Sequence, residues 1–241
     1  MTDRDDLPSK NRLNVIGKRI RKRARAEALA LDGELAAEDE RIVRQWRALH
    51  SDCLTTTRNG LGVHVMRVLR RDSTAQLVTQ RLKRYHSIVA KLVRDKPRLS
   101  EIQDIAGCRA VLPSPLLVRE VVDRIGTARK LTVEEVRDYE ATPHSGGYRA
   151  VHVWCRRGDF KVEIQLRTDR QQQWAELVEE WDTTLGTDIK HESAPAPAIR
   201  YFRQLREHFH QIDQDQAVPD RAMLLDAAAD VRRWLTEEAF A

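Results

Sequence analysis

Two acids in unlike settings are the residues of this 241-residue chain best suited to chemistry. Glu163 stands in Val162-Glu163-Ile164-Gln165-Leu166-Arg167-Thr168, where apolar and polar residues alternate. That period predicts a half-buried strand with Glu163 and Gln165 on one face and Val162, Ile164 and Leu166 on the other. A solvated strand face would account for one acid. Asp104 is a second, on the approach to another predicted strand, Cys108 to Leu112. Two such carboxylates suit magnesium, which takes few protein oxygens and completes its shell with water and phosphates. The pair points to phosphate chemistry.

The basic residues around them fit that chemistry. In Arg81-Leu82-Lys83-Arg84-Tyr85-His86-Ser87-Ile88-Val89-Ala90-Lys91, a helix would stack Lys83, Ser87 and Lys91 on one face with Arg84 beside them. Such a row suits a polyphosphate; alone, it would read as a basic surface over Ile88 and Leu92. Arg109, between Cys108 and Ala110, can meet a phosphate or pair with a structural carboxylate, and the second is the ordinary outcome. The turn Pro143-His144-Ser145-Gly146-Gly147-Tyr148 sets an aromatic at the mouth of a loop, a platform for stacking a base. His152 by itself would be a satisfied, half-buried histidine more often than a catalyst.

The elements that must position these groups alternate. Residues 1–13 read as disordered, residues 14–76 as a helical region, residues 77–192 as the core and residues 193–241 as C-terminal helices. Within the first part, a basic helix runs from Ile16 to about Leu31, where Asp32-Gly33 breaks it. A second helix runs from Ala36 to Leu49, with Trp46 and Leu49 as its core anchors, and Gly60-Leu61-Gly62 precedes a strand-like Val63 to Leu69. The core reads as strand Cys108–Leu112, helix Pro115–Ile125, extended Leu131–Tyr139, then a hairpin of Tyr148–Trp154 and Phe160–Arg167 turning at Arg157-Gly158-Asp159. Helices follow: one carrying Trp174, Leu177, Val178 and Trp181, one from Ile199 to Ile212, and one from Arg221 to Ala239 with Leu224, Leu225, Val231 and Trp234 as its apolar stripe. The expected class is α/β (α+β), a mixed sheet flanked by helices with helical N- and C-terminal extensions.

Composition bounds the partners. No apolar run is long enough to span a bilayer, and the acidic, polar start carries no secretory pattern, so the chain is expected in the cytoplasm, away from membranes. Cys53, Cys108 and Cys155 have no metal spacing and read as reduced, buried thiols. A net charge of +5 favours anionic partners weakly, and much of the excess lies in Lys18, Arg19, Arg21, Lys22 and Arg23. The ordinary reading is a solvated helix face; the sharper one is contact with an RNA backbone.

Taken in order, Arg81/Lys83/Ser87/Lys91, Asp104-Ile-Ala-Gly-Cys-Arg109, Asp138-Tyr139, Gly147-Tyr148-Arg-Ala-Val-His152 and Glu163-Ile-Gln-Leu-Arg-Thr168 resemble the synthetase domain of the RelA/SpoT family, most of all its small stand-alone members. The resemblance implies a nucleotidyltransferase-like fold and a pyrophosphokinase that moves the β,γ-diphosphate of ATP to a ribose 3′-hydroxyl, with Mg2+. It implies that Arg81, Lys83, Ser87 and Lys91 bind the ATP phosphates and that Arg109 supports the donor site. Asp104 and Glu163 would hold the metal, Glu163 also taking the hydroxyl proton. Tyr148 would stack on the acceptor base, while His152, Gln165 and Arg167 shape the acceptor and reaction centre.

The implied acceptor is GDP or GTP, giving ppGpp or pppGpp. Two alternatives stand beside it: the 3′-terminal adenosine of tRNA, as in toxic relatives neutralised by an antitoxin, and an adenosine nucleotide. A catalytically dead nucleotide sensor is a further reading, which the presence of both acids disfavours. The basic run and Gln173-Trp174-Ala175-Glu176-Leu177, which resembles a helix of the toxic members, lean toward tRNA. So do His144 and Gly146, standing where the family often has lysine and asparagine. The family's small members also imply homo-oligomers. The few residues ahead of Arg81 leave no room for the family's hydrolase domain, so synthesis without hydrolysis is expected.

Overall fold

Alternating apolar and polar residues along five segments build one mixed sheet. In the computed structural model, which describes residues 7–25, 33–70, 78–128, 131–143, 148–189, 192–214 and 222–237, the strands are β1 (Val78–Leu82), β2 (Ala106–Leu112), β3 (Thr132–Asp138), β4 (Val151–Arg157) and β5 (Phe160–Thr168). Their spatial order is β1-β2-β5-β4-β3, with β2 and β5 parallel and every other neighbouring pair antiparallel. The expected mixed sheet with flanking helices is the observed architecture. The β4–β5 hairpin turns at Gly158, whose φ of 61° is natural only for glycine. His144, Ser145, Gly146 and Gly147 lie outside the described residues, as do residues 26–32 at the expected end of the first helix.

Eight helices are described: α1 (Lys10–Arg25), α2 (Gly33–Ala48), α3 (Ser51–Leu69), α4 (Tyr85–Arg94), α5 (Pro115–Gly126), α6 (Asp169–Leu185), α7 (Ala196–Asp213) and α8 (Ala222–Glu237). One face of the sheet is closed by α3 and α5. Cys108, Ile164, Leu166 and Val153 pack there against Leu54, Leu61, Val65, Val121 and Ile125. A second apolar cluster joins α1, α2 and α4 with Leu99, Ile102 and Ile105; a third joins α6 and α7 through Trp174, Val178 and Phe202.

Several sequence expectations are corrected. Val63 to Leu69 is the end of helix α3, not a strand, because Leu54, Leu61, Val65 and Val68 form one buried helical face on the sheet. That burial outweighs the helix-breaking tendency of Gly60 and Gly62. Lys10 to Leu13, expected in a disordered terminus, are helical, and Leu13 is fully buried. Residues 81–91 are not one helix: Arg81 ends up on β1 and Lys83 in the link to α4, so Lys83, Ser87 and Lys91 do not stack. In α8, Leu225 is exposed while Val231 is buried. No helix among the described residues is long and apolar enough to cross a membrane, and the three cysteines are free and buried.

Candidate active site

The sheet face opposite α3 and α5 carries the polar side chains, and strand register decides which of them meet. One rung runs Arg81, Gly107, Glu163, Trp154; the next runs Thr79, Arg109, Gln165, His152, Arg137. Gly107 contributes no side chain, so the floor stays open between Arg81 and Glu163. These rungs floor a cleft of about 910 Å³ whose walls include Lys91 and Asp104 on one side and Tyr139, Tyr148 and Arg167 on the other. A smaller cavity of about 210 Å³, lined by Lys83, Asp104, Gly107, Arg109 and Glu163, lies beside it. The volume of the main cleft suits a nucleotide-sized ligand.

Asp104 sits just ahead of β2, where Lys83 N–H donates to the Ile105 carbonyl at 2.8 Å and extends the β1–β2 ladder. Its Oδ2 receives Lys83 Nζ and Lys91 Nζ, each at 3.0 Å. Thus the two lysines converge on one acid although they do not share a helix face. Oδ1 of Asp104 is buried with no hydrogen-bond partner among the described residues, an open position for a cation or a donor.

Glu163 is treated differently. Its Oε1 accepts from His152 Nδ1 at 2.9 Å and Trp154 Nε1 at 3.2 Å, and its Oε2 accepts from Gln165 Nε2 at 2.7 Å. Burial alone would push its carboxyl up; these donors outweigh burial and hold it at about 2. Glu163 is therefore held as a carboxylate. A divalent cation fits the pair: one open oxygen on Asp104 and one permanently ionised carboxylate in the same cleft. Among the described residues no three His, Cys, Asp or Glu side chains gather, so two carboxylates and ligand phosphates would share such an ion.

Among the described residues Arg109 makes no carboxylate pair, the ordinary outcome for such an arginine taken alone. Its Nε is buried without a partner among them, and burial together with Arg167 and Arg81 nearby pushes its guanidinium down. An uncompensated cation in a cleft is a place for an anion. Arg81 lines the cleft and is exposed; Ser87 lines neither cavity. Tyr148 meets Tyr139 edge-on, with ring centroids 6.1 Å apart, and Arg167 covers one of its faces at 4.9 Å. Burial pushes the Tyr148 hydroxyl up, against the pull of Arg167.

The basic run of α1 is not a free surface. Arg19 and Arg23 both bind Asp39, which is fully buried, and Arg21 donates to the backbone carbonyls of Lys96 and Pro97. Only Lys18 and Lys22 of the five expected RNA contacts are exposed. Gly17, where a Cβ would stand 3.0 Å from that of Leu99, lets α1 lie close on the segment that leads to Asp104.

Arg137 and Trp154 were missed as site residues. Arg137 lies over the Trp154 ring at 4.1 Å. Trp154 alternates with His152 on one strand, a two-residue signal that placed both on the same face.

Comparison with known proteins bears on the family and the fold. Residues 80–183 match a family described as a region found in RelA / SpoT proteins. An uncharacterized protein of Mycobacterium tuberculosis, Rv1366, is 40% identical over 126 residues, covering 49% of this chain and 44% of that protein; the match spans less than half the relative's length. GTP pyrophosphokinase YwaC of Bacillus subtilis is 29% identical over 148 residues, 56% of this chain and 68% of its own. Among solved structures, small alarmone synthetase 2 from Bacillus subtilis aligns with a TM-score of 0.62 at 24% identity, over 71% of this chain and 94% of that one. Small alarmone synthetase 1 from the same organism, bound to its product pppGpp, also gives 0.62, at 20% identity over 80% of this chain and all of that one. The fold is that of small alarmone synthetases.

Proposed function

We propose, from the premise that this chain carries a RelA/SpoT synthetase domain, that it is an ATP-dependent pyrophosphokinase transferring the β,γ-diphosphate of ATP to the ribose 3′-hydroxyl of GDP or GTP. The observation that carries this reading is the single cleft in which Asp104, bracketed by Lys83 and Lys91, faces the same space as the ionised Glu163 and the unpartnered Arg109. Asp104 and Glu163 would hold Mg2+, which would supply positive charge to the transferring phosphates. Phosphoryl-type transfer needs in-line placement and cations more than a strong base. A Glu163 held at about 2 fits that demand, orienting the hydroxyl and a metal.

Lys83, Lys91, Arg81 and Arg109 would neutralise ATP. When phosphates arrive, the two lysines can turn to them and leave Asp104 to the metal. Tyr148, which lines the cleft, would stack on the acceptor base, with His152, Gln165 and Arg167 beside it. Ser87, away from both cavities, is left as a weaker candidate for phosphate contact.

A guanosine acceptor is supported by the name of YwaC and by the pppGpp bound to small alarmone synthetase 1. The tRNA alternative, with the antitoxin it would call for, loses its main support, because Arg19, Arg21 and Arg23 are engaged within the chain. The test is incubation of γ-labelled ATP and magnesium with GDP, GTP, AMP or deacylated tRNA in parallel. Label in the guanosine nucleotides supports the proposal; label confined to tRNA or AMP replaces the acceptor, and no transfer to any of them rejects the activity.

A further inference from the structure

Arg167 is 4% exposed and lines the cleft, and its donors reach two of the residues that surround Glu163. Its Nε and Nη2 lie 3.1 and 2.6 Å from the Tyr148 hydroxyl oxygen. A guanidinium only donates, so these two bonds take both acceptor positions of the hydroxyl. The one hydrogen of Tyr148 then goes to His152 Nε2, 2.8 Å away. That nitrogen must be bare, which leaves the imidazole proton on Nδ1, facing Glu163 Oε1 at 2.9 Å.

A second arm starts from the same guanidinium. Arg167 Nη2 lies 3.3 Å from Gln165 Oε1, which turns the amide nitrogen of Gln165 toward Glu163 Oε2 at 2.7 Å. Arg167 is itself held by Nη1 donating to Gln172 Oε1 at 2.9 Å. Trp154 Nε1 supplies the remaining donor to Glu163 independently of Arg167.

We propose that Arg167 is a positioning residue: through Tyr148 Oη and Gln165 Oε1 it anchors the far ends of two of the three groups that hold Glu163, matching from the donor side the polarity that the carboxylate imposes from the acceptor side. The role of Tyr148 then exceeds base stacking, since its hydroxyl holds the His152 ring in place. Without Arg167 or the hydroxyl, His152 keeps its proton on Nδ1, as Glu163 demands, but its Nε2 loses its donor and the ring is free to turn. The carboxylate would rotate away from the metal and the hydroxyl. The functional half of this inference rests on the pyrophosphokinase reading, in which Glu163 belongs to the reaction centre.

The test joins a spectrum to kinetics. Nitrogen-15 NMR of the histidine-labelled full chain, with the His152 signals identified by their loss in His152→Gln, reads the tautomer directly. The wild type should carry its proton on Nδ1, and Tyr148→Phe and Arg167→Gln should keep it there while the Nε2 signal shifts as its hydrogen bond is lost or weakened. Tyr148→Phe keeps the ring, so kcat should fall about 10- to 100-fold with KM for ATP and acceptor unchanged. Tyr148→Leu, which loses the ring as well, should also raise KM for the acceptor. A wild-type proton on Nε2, or a Tyr148→Phe chain whose His152 Nε2 signal does not move, would overturn the proposal even if Arg167→Gln failed to fold. So would an unchanged kcat in Tyr148→Phe. A chain that transfers to no acceptor but shows the expected His152 signals rejects the pyrophosphokinase reading and leaves the network assignment standing.

Discussion

The first helix and the cleft hold similar basic side chains and put them to opposite uses. On α1, Arg19 and Arg23 close on the buried Asp39, and Arg21 grips the Lys96 and Pro97 carbonyls. Their charge is consumed within the protein, fixing α1 against the segment that carries Asp104. In the cleft, Arg109 has a buried Nε without a partner among the described residues and like charges nearby. The lesson is that a run of cations along a sequence identifies no ligand surface; what matters is whether the fold supplies each cation with an acid. Arginines that the fold has paired stabilise it, and those it leaves unpaired await a ligand.

The sharpest contrast between the two regions should come from the acids. Asp104→Asn or Glu163→Gln should lower transfer on the order of 10³-fold while the chain stays folded by circular dichroism, because each removes charge from the developing phosphate site. Retention of full rate by either would dissolve the site assignment. Next, Arg109→Leu should cost about 10²-fold in transfer and should not lower the melting temperature, since it removes a desolvated charge with no acid to answer it. A marked loss of stability would mean that Arg109 belongs with the structural arginines after all.

The reciprocal experiment is Arg19→Ala with Arg23→Ala, which leaves Asp39 buried and unpaired. Urea unfolding should show a loss of about 3 kcal/mol, the low end for a broken buried pair because Arg19 is 40% exposed. Transfer to a nucleotide per folded molecule should be unchanged. A fall in transfer with intact stability would return α1 to the functional surface.

The smallest effect is in pH. Burial pushes His50 down to about 4, so the folded chain binds fewer protons than the unfolded one between there and the ordinary 6.5. Its contribution to stability is lost as pH falls through that window. Glu163, held at about 2 against an ordinary 4.5, contributes stability above 4.5 that is lost as pH falls toward 2. The melting temperature should therefore decline in two successive stages on acidification; a constant value from pH 7 to 4 would contradict the first.

How much of this was legible depended on whether the signal was local. The alternation at Val162, Ile164 and Leu166 gave strand β5 and the face that carries Glu163, because burial on one side of a sheet repeats every second residue. Gly158 marked the hairpin for the same local reason. Helix α3 was hidden because Gly60 and Gly62 read as punctuation, while the evidence against them, burial of Leu54, Leu61 and Val65 under the sheet, is tertiary. The sequence aligns Lys83 and Lys91 as phosphate candidates on one helix, but α4 begins only at Tyr85, and the two converge through Asp104 instead. The pairing of Arg19 and Arg23 with Asp39, and the bonds from Arg167 to Tyr148, span residues that no sequence period connects.

The central claim is that one cleft holds ATP, a divalent cation and an acceptor hydroxyl together. Its most direct test is chromatographic identification of the products from γ-labelled ATP and GDP, with magnesium and after its removal by a chelator. The account predicts AMP and a guanosine nucleotide labelled at its 3′ position in equal amounts, both abolished by the chelator and by Glu163→Gln. Release of labelled phosphate or pyrophosphate with no 3′-labelled nucleotide, or undiminished transfer by the Glu163→Gln chain, would contradict it.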